Sequence, residues 1–391
     1  MKVTNAKLGD VIELLTDYHA NGSYEKLKEN VELLHDESYA VMIRTTNFSQ
    51  NNFTDNLNYI TEEAYHYLNK SKVFPNDIIM NKIADAGACY FMPDIDKPVS
   101  LGMNLFLIRI KDHLADPFFV FNYLKFHEHY VKSFASGSAT KTITKDDTRK
   151  LKIYLPELKA QQKIAKILST WDKAISTTER LIENSTQQKK ALMQQLLTGK
   201  KRLLDESGER FEGKWEEVEL GEISHITTGN SNREDSSLTG KYAFFDRSID
   251  VRTSGIFLFD AEAVIVGGEG QDFVPKYFEG KFDLHQRTYA IMDFKNAYGK
   301  FLFYYIGYYR HYFLSQAVGS TVKSLRLPMF QKMPINLPPI KEQQKIATVL
   351  TNADKEIELL EQQLADLQQE KKALMQVLLT GKRRVTLEEL E

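Results

Sequence analysis

The sequence predicts an α+β protein: two globular blocks separated by a pair of long antiparallel coiled-coil helices, in a pseudo-twofold, nearly circular repeat. Three observations carry this. Residues 155–202 recur without a gap as residues 337–384, with 26 of the 48 positions identical; a duplication of this kind governs the fold assignment. Each copy places apolar residues at alternating steps of four and three, which is a heptad seam. The block ahead of each copy opens alike, with Leu8-Gly9-Asp10-Val11 in one and Leu220-Gly221-Glu222-Ile223 in the other.

The seam of the first copy runs through Ile164, Leu168, Trp171, Ile175, Ile182, Leu192 and Leu196, with Thr178, Ser185 and Lys189 in register. The second runs through Ile346, Leu350, Ala353, Ile357, Leu360, Leu364, Leu367, Leu374 and Leu378, interrupted only by Lys371. Pro156 and Pro338 stand where a helix start tolerates proline. Gly199 and Gly381 stand where a helix ends in a left-handed residue. A helix of about 40 residues is roughly 60 Å long and would leave its seam wet, so the simplest partner is the other copy. Roughly 140 residues lie between the two helices, and a compact domain with its ends close together returns the second helix beside the first, running backwards. Ile167, Leu197, Val349 and Leu379 lie outside the strict seam and are expected to offer further apolar surface to partner helices.

The hydrophobic share of 42% supports packed cores. One cysteine, Cys89, excludes an internal disulfide and a cysteine-based zinc site. The start of the chain lacks an apolar leader, and no run is long enough to span a bilayer, so a cytoplasmic protein is expected. A net charge of −2 argues against a bare basic DNA-binding domain, while leaving room for basic patches on chosen faces.

Residues 1–154 form the first block. Short apolar runs at residues 39–44, 77–80 and 105–110 read as buried strands. Pro117 to Tyr130 reads as an aromatic helix capped by Asp116. Residues 155–202 are the first long helix, and the polar residues 203–214 a linker. Residues 215–336 form the second block, residues 337–384 the second long helix, and 385–391 a tail. Gly267-Gly268-Glu269-Gly270 follows a strand but lacks the G-x-G-x-x-G spacing of a dinucleotide site; a sharp turn is expected. Lys200-Lys201-Arg202 and Lys382-Arg383-Arg384 are expected to complement helix C-termini. There is no phosphate-binding loop of the ATP-motor type, no Asn/Asp-Pro-Pro-Tyr/Phe motif and no nuclease-like acidic cluster.

Carried by the duplicated Leu-Pro…Gln-Gln-Lys-Ile-Ala…Leu-Leu-Thr-Gly-Lys helices, by Phe244-Phe245-Asp246-Arg247-Ser248 and by Gly319-Ser320-Thr321-Val322-Lys323, the chain resembles the specificity subunits of type I restriction-modification systems over essentially its whole length. The resemblance implies that each block is a target-recognition domain reading one half of a bipartite double-stranded DNA site. It implies that the helices set the spacer and dock two modification (methyltransferase) subunits, and that motor-nuclease restriction subunits can join. No catalytic residue, metal or cofactor is expected in this chain. S-adenosylmethionine belongs to the methyltransferase partners, and ATP with magnesium to a restriction subunit where present. The competing reading is a non-catalytic coiled-coil scaffold whose end domains bind proteins.

For DNA contact, the loop with Gly137, Ser138 and Lys141 and its counterpart with Gly319, Ser320, Thr321 and Lys323 are the phosphate candidates. Small residues let the backbone approach, hydroxyls and amides donate to phosphate oxygens, and lysine supplies charge. Base reading needs fork-shaped donors. Arg44, Thr45, Thr46, Asn47 and Lys82 are the candidates in the first block. Arg247, Ser248, Arg252, His285, Gln286 and Arg287 are those in the second.

Overall fold

The computed structural model describes residues 4–386. Within that range one compact unit comprises residues up to 177 together with those from 365 onward, and the other comprises residues 178–364. Each long helix therefore contributes to both units, the first helix equally and the second mostly to the unit of residues 178–364.

The helices are continuous over Leu158–Leu197 and Ile340–Leu378. Every seam position predicted from the heptads is buried or half-buried, while most positions between them are exposed. The pairing is antiparallel within each unit. In the first, Ile164, Ala165 and Leu168 share a core with Leu378 and Leu379. In the second, Leu196 and Leu197 share a core with Ile346, Ala347 and Leu350. The polar seam positions have a purpose that periodicity alone does not reveal. Lys371 pairs with Asp172, and Lys189 with Asp354; these are the same pair, repeated at the offset of the duplication. Only an antiparallel arrangement lets each lysine meet the other helix's aspartate in this reciprocal way.

The helix ends are also built twice. Gly199 and Gly381 adopt φ +69° and +71°. The N–H of Lys201 reaches back to the carbonyl of Gln195 at 3.0 Å, and that of Arg383 to Val377 at 2.9 Å, closing both C-termini in the same left-handed way. At the N-termini the first glutamine of each Gln-Gln pair is buried. Gln161 donates to the Pro156 carbonyl at 2.8 Å and accepts the Asp116 N–H at 3.0 Å. Gln343 donates to the Pro338 carbonyl at 2.7 Å and accepts the Tyr298 N–H at 2.8 Å. Asp116 and Tyr298 are the cap residues of the aromatic helices Pro117–Phe126 and Gly299–Tyr308. Each glutamine thus fastens a long helix to the domain helix packed on it.

The repeat begins three residues before the helix because Leu155 and Leu337 belong to strands. Thr4–Lys7 pairs antiparallel with Lys152–Leu155, and Glu216–Glu219 with Pro334–Leu337, in the same register. In the first unit two four-stranded sheets lie over a common core. Ile12–Asp17, Leu105–Ile110, Ile78–Asn81 and Cys89–Phe91 form one; Tyr59–Ile60, Ala40–Ile43, Val99–Leu101 and Lys72–Val73 form the other. Ile79 and Leu107 face the second sheet, whereas Ile78, Met80, Phe106 and Ile108 face the aromatic and long helices. Both faces are covered, so these strands read as continuous apolar runs. The second unit has one six-stranded sheet, ordered His225–Thr228, Thr288–Met292, Phe259–Gly267, Lys276–Leu284, Tyr242–Phe245 and Arg252–Ser254. Asp116 caps its helix as predicted, accepting the Phe119 N–H at 2.8 Å, but that helix stops at Phe126, and a second one runs over Glu128–Lys132.

Two expectations are corrected here. Leu197 and Leu379 are fully buried in the chain's own cores, so neither is surface left over for a partner, while Ile167 and Val349 pack against those cores and stay partly exposed. Arg202 does not serve the helix dipole. Its guanidinium makes two 2.6 Å bonds to the fully buried carboxylate of Glu342, joining the end of one long helix to the start of the other. Among the described residues the repeat-related Arg384 has no such partner, because Ala160 occupies the position equivalent to Glu342.

The reciprocal ion pairs give a test of helix pairing. Asp172→Lys or Lys371→Asp alone should lower the melting temperature, and the two together should restore most of it. The coupling energy should be about 1 kcal/mol for a partly exposed pair. Purely additive losses in the double-mutant cycle would rule out this facing arrangement.

Candidate nucleic-acid interface

In the second unit four segments far apart in sequence converge. The centre is the turn after the strand Phe259–Gly267. Gly268 donates its N–H to the Arg287 carbonyl at 2.8 Å and accepts the Leu325 N–H at 2.8 Å. A Cβ at Gly268 would lie 2.6 Å from the Arg287 carbonyl oxygen, so glycine is required for the turn to lie against that segment. Glu269–Gly270 then pairs antiparallel with Lys323–Ser324. The loop leading there is a closed hairpin: Val318 and Ser324 exchange backbone hydrogen bonds of 3.1 and 2.8 Å. Gly319 takes φ +116°, and a Cβ there would meet the Val322 carbonyl oxygen at 2.3 Å. Residues 318–323 are all exposed, so backbone and hydroxyl donors of the predicted phosphate loop face solvent.

Beside this hairpin a cavity of about 240 Å3 is lined by Arg233, Asp246, Arg247, Glu269, His285, Gln286 and Arg287. Four of the predicted residues, Arg247, His285, Gln286 and Arg287, therefore share one pocket. Arg247 and Arg287 both reach Glu269, at 3.3 and 2.6 Å, yet their side chains stay 57% and 63% exposed, with most of their donors unused. Gln286 donates to Asn232 Oδ1 at 2.5 Å. His285 Nδ1 accepts the Arg287 N–H at 3.1 Å, which fixes the neutral tautomer with the proton on Nε2. Burial pushes the His285 pKa down; Asp246 opposes that, and the Arg287 and Arg247 guanidiniums add to it. Ser248 and Arg252 have structural commitments. The Ser248 N–H donates to Asp246 Oδ1 at 2.7 Å, its carbonyl accepts from Lys276 Nζ at 2.5 Å, and Arg252 lies 3.7 Å from the buried Asp246.

The first unit repeats the plan with other side chains. Ser136 and Thr142 exchange bonds of 2.9 and 2.8 Å. Gly137 takes φ +120°, and a Cβ there would meet the Thr140 carbonyl oxygen at 2.4 Å. Ser138 and Lys141 are exposed. This hairpin lies against the turn after the strand Ile78–Asn81, through Thr142 and Ile83. On that turn Lys82 pairs with Asp17 at 2.6 Å, and Lys145 pairs with the other oxygen of the same carboxylate at 3.0 Å. Burial opposes ionisation of Asp17, but the hydrogen bonds and charges of the two lysines outweigh it and hold its carboxyl below the usual range. Thr45 donates to Asn81 at 2.9 Å, which brings the segment around residue 45 to the same strand end. Arg44 and Thr46 are exposed. Asn47 is buried: its side chain accepts the Arg44 N–H at 2.8 Å and donates to the Asn52 carbonyl at 3.2 Å, leaving it committed to its own turn.

Sequence reasoning missed Arg233, Lys145 and the roles of the two bridging carboxylates, Asp17 and Glu269. Arg233 follows a polar run, Asn230-Ser231-Asn232, which is the one local signal. The carboxylates are recognisable only once the chain has folded.

A family model described as "Type I restriction modification DNA specificity domain" matches residues 2–185 and 212–369. The MjaVIII type I restriction enzyme specificity subunit of Methanocaldococcus jannaschii is 27% identical over 317 residues, spanning 73% of this chain and 74% of that one. The EcoDI type I restriction enzyme specificity subunit of Escherichia coli is 30% identical over 166 residues, 42% of this chain and 37% of that one. The crystal structure of the type I restriction-modification S subunit from M. genitalium superposes with a TM-score of 0.65 at 16% identity, covering 97% of this chain and 96% of that one, and shares the fold.

The neutral histidine makes stability pH-dependent. The unfolded chain takes up a proton near the ordinary value of 6.5 that the native imidazole refuses. The unfolded state therefore binds more protons, and stability falls as pH drops below about 6.5. Melting curves at pH 7.5 and 5.5 should show a smaller drop for His285→Gln than for the parent. An equal drop would mean that His285 titrates normally in the folded chain.

Proposed function

The chain belongs to the family of type I restriction modification DNA specificity domains, and on that premise we propose how it reads DNA. Each unit reads one half of a bipartite duplex sequence. The observation that carries this is the device built twice, once per unit: an exposed glycine hairpin with a lysine, docked on the turn after a central strand, next to two cations. The hairpins take the phosphate backbone, where small residues and exposed amides allow close approach. Arg247, His285, Gln286 and Arg287 in the second unit, and Arg44, Thr45 and Lys82 in the first, face base edges in the major groove.

This chain supplies recognition and leaves the chemistry to its partners. Two methyltransferase subunits dock on the paired helices, because the repeat offers each docking surface twice. They carry S-adenosylmethionine; a restriction subunit, where present, uses ATP and magnesium. The work takes place on cytoplasmic DNA. Among the described residues no helix is long and apolar enough to cross a membrane.

Lys141→Ala and Lys323→Ala should each weaken binding evenly across DNA sequences and lower the slope of log affinity against log salt by about one unit. An altered target sequence at an unchanged salt slope would reverse the assignment of phosphate and base contacts.

The helices, 40 and 39 residues long, set the number of unread base pairs between the half-sites. One heptad inserted after Ile175 and one after Ile357 lengthens each helix by roughly 10 Å, about three base pairs at about 3.4 Å each, and keeps the seam in register. Genome-wide mapping of methylated adenines in cells expressing the variant complex should return the same half-sites with a spacer longer by a few base pairs. An active variant that keeps the parent spacer would show that the helices merely tether the units. Failure of any bipartite motif to appear with the parent complex would favour a protein-binding scaffold.

A further inference from the structure

Glu269 is placed oddly for a DNA-facing residue. It puts a negative charge among Arg233, Arg247 and Arg287, where it opposes attraction to phosphate. Its side chain is only 18% exposed, while both arginines it holds are more than half exposed. It gives one oxygen to each: Oε1 to Arg287 at 2.6 Å and Oε2 to Arg247 at 3.3 Å. Its own backbone is fixed by the pairing of Glu269 with Ser324 and by the glycine turn against Arg287. A long exposed arginine has much rotamer freedom to lose when it binds. A carboxylate on a rigid turn removes part of that freedom before DNA arrives, and each bond occupies a single N–H of the five in a guanidinium.

We propose that Glu269 is a positioning residue that presents Arg247 and Arg287 as a pair of guanine-reading forks, so that the half-site read by the second unit contains two G·C pairs. This rests on the reading of that pocket as a base-contacting surface. Guanine is the base whose O6 and N7 match a guanidinium edge bidentately. Both Nη1 atoms bond one carboxylate, so they are no more than about 8 Å apart, one or two base-pair steps at about 3.4 Å each. The two guanines therefore occupy adjacent or next-but-one positions, on either strand. In the first unit the residue at Glu269's place against the hairpin is Ile83, and the carboxylate nearby, Asp17 at the end of another strand, holds two lysines. An ammonium is a point charge rather than a fork, so the paired-guanine signature is expected in one half-site only.

The test uses the full chain in complex with its methyltransferase subunits, comparing the parent with Glu269→Gln, Arg247→Ala and Arg287→Ala. Methylated motifs are mapped genome-wide, and binding to cognate and unrelated duplexes is measured against salt. The parent motif should carry two such G·C pairs in one half-site. Each arginine variant should relax one of them. Glu269→Gln should lower discrimination at both by about 5- to 150-fold, the range expected for loss of a bidentate base contact. Affinity for unrelated duplex should stay the same or rise, since a negative charge is gone, with melting and the other half-site unchanged. If the arginine variants relax one position each while Glu269→Gln leaves the motif intact, the positioning role is overturned and the interface stands. A Glu269→Gln variant that loses cognate and unrelated binding alike, with a lower melting temperature, would mean a structural carboxylate and overturn it too. A parent motif without paired guanines would overturn the guanine assignment. If none of the three variants alters either half-site, the pocket is not a base-reading surface, and the reading beneath the inference fails with it.

Discussion

The structure depends on the antiparallel pairing of two helices that are copies of each other. Because they run in opposite directions, the start of one packs in the same core as the end of the other. Each of the two units is completed by segments of both helices. The reciprocal pairs of Lys371 with Asp172 and Lys189 with Asp354 fix the direction. A charged seam position weakens a coiled coil but specifies register, and here the same lysine, duplicated, does so twice. The buried Gln161 and Gln343 carry that order into the domains, since each donates to the carbonyl of the proline preceding its long helix and accepts the cap N–H of the aromatic helix packed on it. A buried amide that meets all of its partners geometrically is costly to displace, which joins domain and helix into one cooperative body.

On this shared frame the two domains have diverged where specificity lives. The main sheets are two stacked four-stranded ones in one unit and one of six strands in the other. What they share is concentrated at the end of the central strand, where the glycine hairpin docks. The positive φ at Gly137 and Gly319 and the near-contacts of their would-be Cβ atoms with Thr140 and Val322 are nearly superimposable constraints. Around them, the cations differ. One unit has Asp17, at the end of a neighbouring strand, holding Lys82 and Lys145; the other has Glu269, on the turn itself, holding Arg247 and Arg287. On the proposed reading, a backbone cradle repeated with different cations around it would let each unit hold phosphate in the same way while reading different bases, because phosphate contacts position and base-edge contacts specify.

What the sequence determined by itself was whatever repeats at short range. The heptads of Ile346 to Leu378 announced the helices and their buried face, the duplication announced their pairing, and Gly199 and Gly381 announced where they end. The runs at residues 78–80 and 105–110 announced central strands. Tertiary structure alone decided the rest, because it depends on distance in space. No local period relates Glu269 to Arg247 and Arg287, Asp17 to Lys82 and Lys145, or Arg202 to Glu342. Leu197 and Leu379 looked like spare apolar surface until the domains packed over them, and Asn47 looked like a base reader until its amide was seen closing its own turn. Periodic patterns record which face of an element meets apolar surroundings, whereas the chemistry of a site is set by side chains that only the folded chain brings within hydrogen-bond reach.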